Sequence, residues 1–333
     1  MDRTSLMPLT VWEALTLACL TIALPTSAHH SAAMFDTTKE IMVEGVVTDF
    51  AWKNPHSSLT VRTATGPLVM ELGPPSTLGP LGLKKETIKV GDRVTVRGNP
   101  PRTGKVALAR ELIRPDGSTV PLILGGQAQR PPPVAKTETI AGTWVPEGFF
   151  SFLQSRAKWP LTDKGRAALQ SANSKLSTQN ECIPVGAPMV MHYPVANRIV
   201  IGRNVVRIIV DWMGAERIVY LDGRKPPANA KRSLQGHSTG KWEGTTLVID
   251  TTQFAEHREG NALGLPSGLN KHLVERFSLS EDRQHLTYEF VLEDPDWFTA
   301  PVKQSIQWDY HPEIAPSGVK CDIKSASRYL KEG

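Results

Sequence analysis

Gly240-Lys241-Trp242-Glu243-Gly244-Thr245-Thr246-Leu247-Val248-Ile249-Asp250 reads as a hairpin: a turn at Trp242-Glu243-Gly244 between strands at Gly240–Trp242 and Thr246–Asp250. The pattern spreads in both directions. Ile199–Gly202, Val205–Asp211 and Arg217–Leu221 precede it, and Leu273–Leu279, Leu286–Leu292 and Lys303–Trp308 follow. Asp222-Gly223-Arg224 and Glu281-Asp282-Arg283 carry the same turn chemistry, so they too are expected to be antiparallel hairpins. One helix is expected, over Leu161–Ser171 with Thr162 as its cap.

Ile140-Ala141-Gly142-Thr143-Trp144 opens this run. About eight antiparallel strands behind a Gly-x-Trp opening predict a lipocalin-like antiparallel β-barrel over residues 140–333. Upstream the chain is also strand after strand: Ile41–Phe50, Ser58–Thr63, Leu68–Leu72, Arg93–Gly98 and Ala107–Arg114, with turns at Val90-Gly91-Asp92 and Pro115-Asp116-Gly117. Short strands at such close spacing predict a small OB-like barrel over 29–124. Between the two, Gly125-Gly126-Gln127-Ala128-Gln129-Arg130-Pro131-Pro132-Pro133 belongs to a Gly/Pro-rich linker, 125–139. The expected fold class is mainly β, an OB-like barrel followed by a lipocalin-like one.

Residues 1–28 read as a secretory signal peptide. A charged start is followed by a short apolar stretch from Leu6 to Leu24, and Pro25-Thr26-Ser27-Ala28 offers small residues at the cleavage positions. Pro8 and Glu13 interrupt the apolar run, which argues against a membrane anchor. The mature chain would start at His29, with no membrane span, in the periplasm or outside the cell. Of the three cysteines, Cys19 leaves with the leader. Cys182 and Cys321 remain, and an even pair in an oxidising compartment is expected to form a disulfide. A formal net charge of +5 is modest, and the bases are scattered without aromatic interleaving. A nucleic-acid partner is therefore excluded.

The start His29-His30-Ser31-Ala32-Ala33-Met34-Phe35-Asp36 resembles an exported family of unknown function, number 6152. So do Glu44-Gly45-Val46-Val47, Trp52-Lys53-Asn54-Pro55-His56 and Val90-Gly91-Asp92-Arg93-Val94-Thr95-Val96. The resemblance covers roughly residues 29–122. The second half resembles a further uncharacterised proteobacterial domain, through Asp222-Gly223-Arg224, the segment Gly236–Gly244 and Val274–Phe277. Neither resemblance implies an established activity.

Two constellations could carry chemistry. A processed His29 presents an α-amine and an imidazole on one residue. With His30 or His56 as a further nitrogen donor this makes a copper site, similar to the histidine brace of copper-dependent monooxygenases. In the second barrel His237, Asp250, His272 and Glu275 are the candidate acid/base groups, since an imidazole beside a carboxylate can move protons. Trp144, Trp212, Trp242 and Arg224 are the candidates for lining a ligand. Gly236-His237-Ser238-Thr239-Gly240 has the spacing of a nucleophile elbow but leads into a strand turn rather than a helix, which argues against a serine hydrolase. The expected function is a periplasmic binding protein for an apolar or amphipathic small molecule, with copper as a further expectation. The alternative is an enzyme running hydratase, isomerase or lyase chemistry in the second barrel.

Overall fold

In the first barrel, strand β1 (Ile41–Ala51) does the organising: it pairs with β2 (Ser57–Thr63) along its second half and with β4 (Arg93–Asn99) along its first. A bulge between Val47 and Asp49 bends it, as a long strand must bend to serve two neighbours on a curved sheet. Gly45 sits where a Cβ would lie 2.3 Å from the Arg62 carbonyl oxygen. Only glycine allows that approach. The computed structural model describes residues 34–102, 104–123, 132–133, 135–227 and 229–330. The expected leader, His29, His30 and much of the expected linker lie outside these.

β3 (Gly66–Leu72) pairs with β2, and β5 (Val106–Ile113) with β4; a parallel contact between β3 and β5 closes the ring. A short β6 (Thr119–Pro121) extends the sheet. Helix α1 (Pro75–Leu78) lies between β3 and β4. This is OB connectivity. Val47, Leu59, Val61, Met70, Val96 and Ala107 fill the interior, while Leu78, Leu83 and Ile88 of the β3–β4 connection join the same core.

The second barrel has nine strands: β7 (Gly142–Pro146), β8 (Asn197–Ile201), β9 (Val205–Val210), β10 (Glu216–Tyr220), β11 (His237–Glu243), β12 (Thr246–Thr252), β15 (His272–Leu279), β16 (His285–Glu293) and β17 (Val302–Tyr310). β17 returns to β7 and closes it. A separate hairpin, β13 (His257–Ala262) with β14 (Leu265–Ser267), stands outside the ring. Period-two alternation is clean in β16, where Leu286, Tyr288, Phe290 and Leu292 are buried and Glu289 and Glu293 are exposed.

One joint departs from the expected antiparallel pattern: β10 and β11 are parallel, Val219 opposite Ser238 and Tyr220 opposite Thr239. Asp222-Gly223-Arg224 therefore does not make a hairpin. Pro226 and Pro227 follow it, and prolines cannot donate to a ladder. The chain instead crosses back outside the wall. Arg232 holds this crossover through the carbonyls of Phe254 (3.1 Å) and Leu269 (2.8 Å).

Two further helices, α2 (Phe149–Ser155) and α3 (Asp163–Gln170), lie in the β7–β8 connection. The α3 cap is the expected one, with Thr162 Oγ1 accepting from the Gly165 N–H at 3.1 Å. Register places this connection, the β13–β14 hairpin and Asp294–Phe298 at one end of the barrel. Together they plug it: Phe152, Leu161, Met189, Val190, Met191, Trp297 and Phe298 are buried in the second core.

After β17 the chain leaves the barrel and reaches back to the first one, where α4 (Ile323–Ala326) lies against the β1–β2 loop. Cys182 and Cys321 form the expected disulfide, with S–S 2.00 Å and Cα–Cα 5.8 Å.

Candidate functional site

The interior of the second barrel is not uniformly apolar. Arg217 on β10 and Glu275 on β15 point inward, each between apolar neighbours of the same phase: Val219 for the first, Leu273 and Phe277 for the second. Their side chains meet in a bidentate pair, Nη1 to Oε1 at 2.6 Å and Nη2 to Oε2 at 2.5 Å. Three neighbouring strands complete the shell. Thr251 Oγ1 and Ser238 Oγ accept from Arg217 Nη2 at 3.1 and 3.3 Å, and Tyr288 donates its hydroxyl to Glu275 Oε1 at 2.7 Å.

All five side chains are buried. Burial works against the Arg217 charge, but Glu275 outweighs it and raises the Arg217 pKa. Burial and the Glu275 carboxylate together hold the Tyr288 hydroxyl well above its ordinary value, so it stays a donor. The cluster is neutral as a whole, and its charges are spent on each other.

Above it sits His192, in the plug. Its ring stacks on Phe152 at 3.7 Å and lies 5.7 Å from both Tyr288 and Phe290. Burial lowers its pKa to about 3, against the opposing hydrogen bond to the Pro188 carbonyl, so the ring is neutral. Nδ1 lies 2.9 Å from that carbonyl oxygen. An oxygen acceptor there requires the proton on Nδ1, which leaves Nε2 as a lone-pair acceptor. Among the described residues Nε2 has no hydrogen-bond partner; neither do Trp308 Nε1, Arg217 Nε and Asn197 Oδ1, all buried. Trp308 flanks Tyr288 on β17, with ring centroids 5.6 Å apart.

Lys271 secures the plug. Its ammonium donates to the Ala187 carbonyl and, at 2.6 Å, to that of Gly260, and it lies 4.3 Å above the Phe254 ring. Burial lowers its pKa to about 7, partly offset by Asp294.

The structure separates the candidate residues. Glu275 lies inside the barrel. His237 is on the outer surface, stacked on Tyr220 at 5.1 Å with Nε2 3.2 Å from the Arg224 carbonyl. His272 and Asp250 are brought together on the outer face, Nε2 to Oδ2 at 3.0 Å, with Glu293 at 3.3 Å from Nδ1. Burial opposes the His272 charge, but these two carboxylates outweigh it and raise its pKa. Of the candidate ligand-lining residues, Trp144 is core and donates to the Ile140 carbonyl at 2.8 Å. Trp212 stacks on Tyr193 at 4.7 Å and donates to Gln179. Trp242 is 40% exposed, and Arg224 pairs with Asp222 at the surface.

His56 holds Glu71 through Nδ1 at 3.0 Å, and Arg328 reaches the other Glu71 oxygen at 3.2 Å. Among the described residues no group of three or more His, Cys, Asp or Glu side chains is arranged to hold a metal. No helix among them is long and apolar enough to cross a membrane.

Arg217, Ser238, Thr251, Tyr288, His192 and Lys271 are not among the candidates from sequence. Arg217 was within reach: it shares the inward phase of β10 with Val219, where a charge demands a partner.

Fold and site together define a two-barrel β protein, an OB barrel followed by a closed barrel with a buried ionic cluster. Residues 17–109 match the model of the Family of unknown function (DUF6152). The match takes in β1 to β4 and the start of β5. No curated protein matches the chain. Among solved structures the chain is similar to a mutant of the fluorescent protein UnaG, at 11% identity over 52% of this chain and 96% of that one, with a TM-score of 0.26.

Proposed function

We propose that the chain is an exported binding protein whose second barrel takes up a neutral, apolar or amphipathic small molecule beneath the plug. One observation carries this reading: His192 Nε2, Trp308 Nε1 and Arg217 Nε are buried polar atoms that no group among the described residues satisfies. Each such atom costs roughly 1–3 kcal/mol, and native interiors seldom leave several together. A ligand that brings a donor to His192 and an acceptor to Trp308 would relieve that cost. Phe152, Tyr288 and Phe290 pack against the His192 ring, and Phe277 and Tyr288 against that of Trp308. A charged ligand is disfavoured, because Arg217 and Glu275 already neutralise one another.

Export is supported by the leader pattern and by the disulfide, which belongs in an oxidising compartment. A copper site at the processed His29 is part of the same proposal. Acid/base catalysis by His237 with Glu275 or Asp250 has less support, since the barrel wall stands between His237 and Glu275.

The test for the barrel is titration with 1-aminoanthracene, a neutral aromatic amine, followed by its fluorescence. Saturable one-to-one binding, weakened about tenfold by His192→Phe, is expected; tenfold corresponds to about one hydrogen bond. An absence of saturable binding rejects the reading. For copper, Cu(II) is titrated into chain starting at His29 and into chain with one residue added before it. Equal affinities reject the terminal site.

A further inference from the structure

The segment that follows β17 is attached at both ends by different means. On the second barrel it is held by the Cys182–Cys321 disulfide and by Ser317, whose N–H and hydroxyl donate to Asp211 at 2.7 and 3.0 Å. The Cys182 side is rigid: Ser177 and Thr178, in the turn just before it, donate three hydrogen bonds to the buried Glu259 carboxylate. On the first barrel the attachment is polar and runs largely through the backbone. The Asp322 N–H donates to the Asn54 carbonyl at 2.8 Å, and Asn54 Nδ2 donates to the Val319 carbonyl at 2.7 Å. Ser325 Oγ donates to the His56 carbonyl, Lys53 pairs with Asp322, and Arg328 pairs with buried Glu71.

These contacts fall on the β1–β2 loop and on β3, the part of an OB barrel that commonly receives ligands. Apolar burial contributes little here. α4 buries only Ser325 and Ala326, and Ile323 is 53% exposed. A few hydrogen bonds and two ion pairs, one of them between the exposed Lys53 and Asp322, hold an extended segment weakly in isolation. They hold it well when a tether keeps its effective concentration high.

We propose that the β1–β2 loop and Glu71 form a docking surface for an extended, arginine-bearing segment, occupied by the chain's own residues 319–328 while the Cys182–Cys321 disulfide is closed. Cys182 and Cys321 are both partly exposed, so a small or protein dithiol can reach them. One dithiol sulfur attacks a cystine sulfur and forms a mixed disulfide, and its second sulfur then displaces the protein thiol. Two electrons and two protons pass to Cys182 and Cys321, and the reductant leaves as a disulfide. The strap then keeps only its polar contacts, and the docking surface becomes available.

The experiment is hydrogen exchange by mass spectrometry on the full chain, oxidised, reduced with dithiothreitol, and as Cys182→Ser/Cys321→Ser. Amides of 319–328 and of 54–57 are expected to exchange at least about tenfold faster in the last two, while those of β15–β17 stay protected over the same time course. Oxidised Arg328→Gln, which leaves the tether in place, is expected to show a smaller increase confined to the same segments. Equal protection of 319–328 in oxidised and reduced chain overturns the proposal. Protection lost entirely across both barrels on reduction overturns it as well, because the chain has then unfolded and the strap was not released on its own.

Discussion

Arg217 and Glu275, 58 positions apart in the chain, meet inside the second barrel as a fully buried bidentate ion pair. Neither strand that carries them touches the other: β11 and β12 lie between, and they contribute Ser238 and Thr251 to the same cluster. Removing one partner strands the other charge in the interior. Arg217→Met or Glu275→Leu alone is expected to cost about 3–5 kcal/mol, and the double variant Arg217→Met/Glu275→Leu much less than the sum. Urea unfolding of the three variants measures this. An additive double variant would show that the two residues are not coupled.

Lys271 stabilises the plug through two carbonyls rather than through a carboxylate partner. Lys271→Met keeps most of the apolar stem but removes the donor. A loss of about 1–3 kcal/mol is expected, together with faster exchange of amides in 186–195. An unchanged melting midpoint would show that the carbonyls of Ala187 and Gly260 find other donors.

Closing the 139-residue separation between Cys182 and Cys321 restricts the unfolded chain. Cys182→Ser/Cys321→Ser is expected to lower stability by roughly 2–5 kcal/mol. Thermal melts of the variant and of the oxidised parent give the difference, and a midpoint that does not move refutes it.

Asp211 gives the pH dependence. Burial raises its pKa to about 6, against the hydrogen bonds from Ser317 that lower it. Because the folded value exceeds the unfolded one, the folded state binds more protons in this window. The Asp211 contribution is full below pH ~4 and is lost as pH rises through about 6. Asp211→Asn is expected to remove this fall in stability between pH 4 and 7, read from denaturant midpoints at each pH. Parallel pH profiles in variant and parent would assign the effect elsewhere.

Much of the architecture was legible from local pattern. Alternation in Leu286–Leu292 and the turn at Trp242-Glu243-Gly244 follow from side-chain period and turn chemistry, which neighbouring residues set between themselves. The close spacing of short strands before residue 124 announced the small barrel in the same way. The disulfide followed from counting, once Cys19 was assigned to the leader.

The centre of the candidate site was not legible, for a physical reason. His192 lies in an irregular plug that has no period to read, and its neutrality comes from burial that only the closed barrel creates. Asp250 and Glu275 looked equivalent in sequence, but strand register puts Ile249 opposite Glu275 and Val274 opposite Asp250. The two carboxylates therefore point to opposite sides of the wall. Local pattern is enough to say which residues alternate, where the chain turns and which cysteines can pair. The pairing of Arg217 with Glu275, the parallel joint of β10 with β11 and the return of the C-terminal strap emerge in the folded chain alone, because they depend on distant strands meeting in one register.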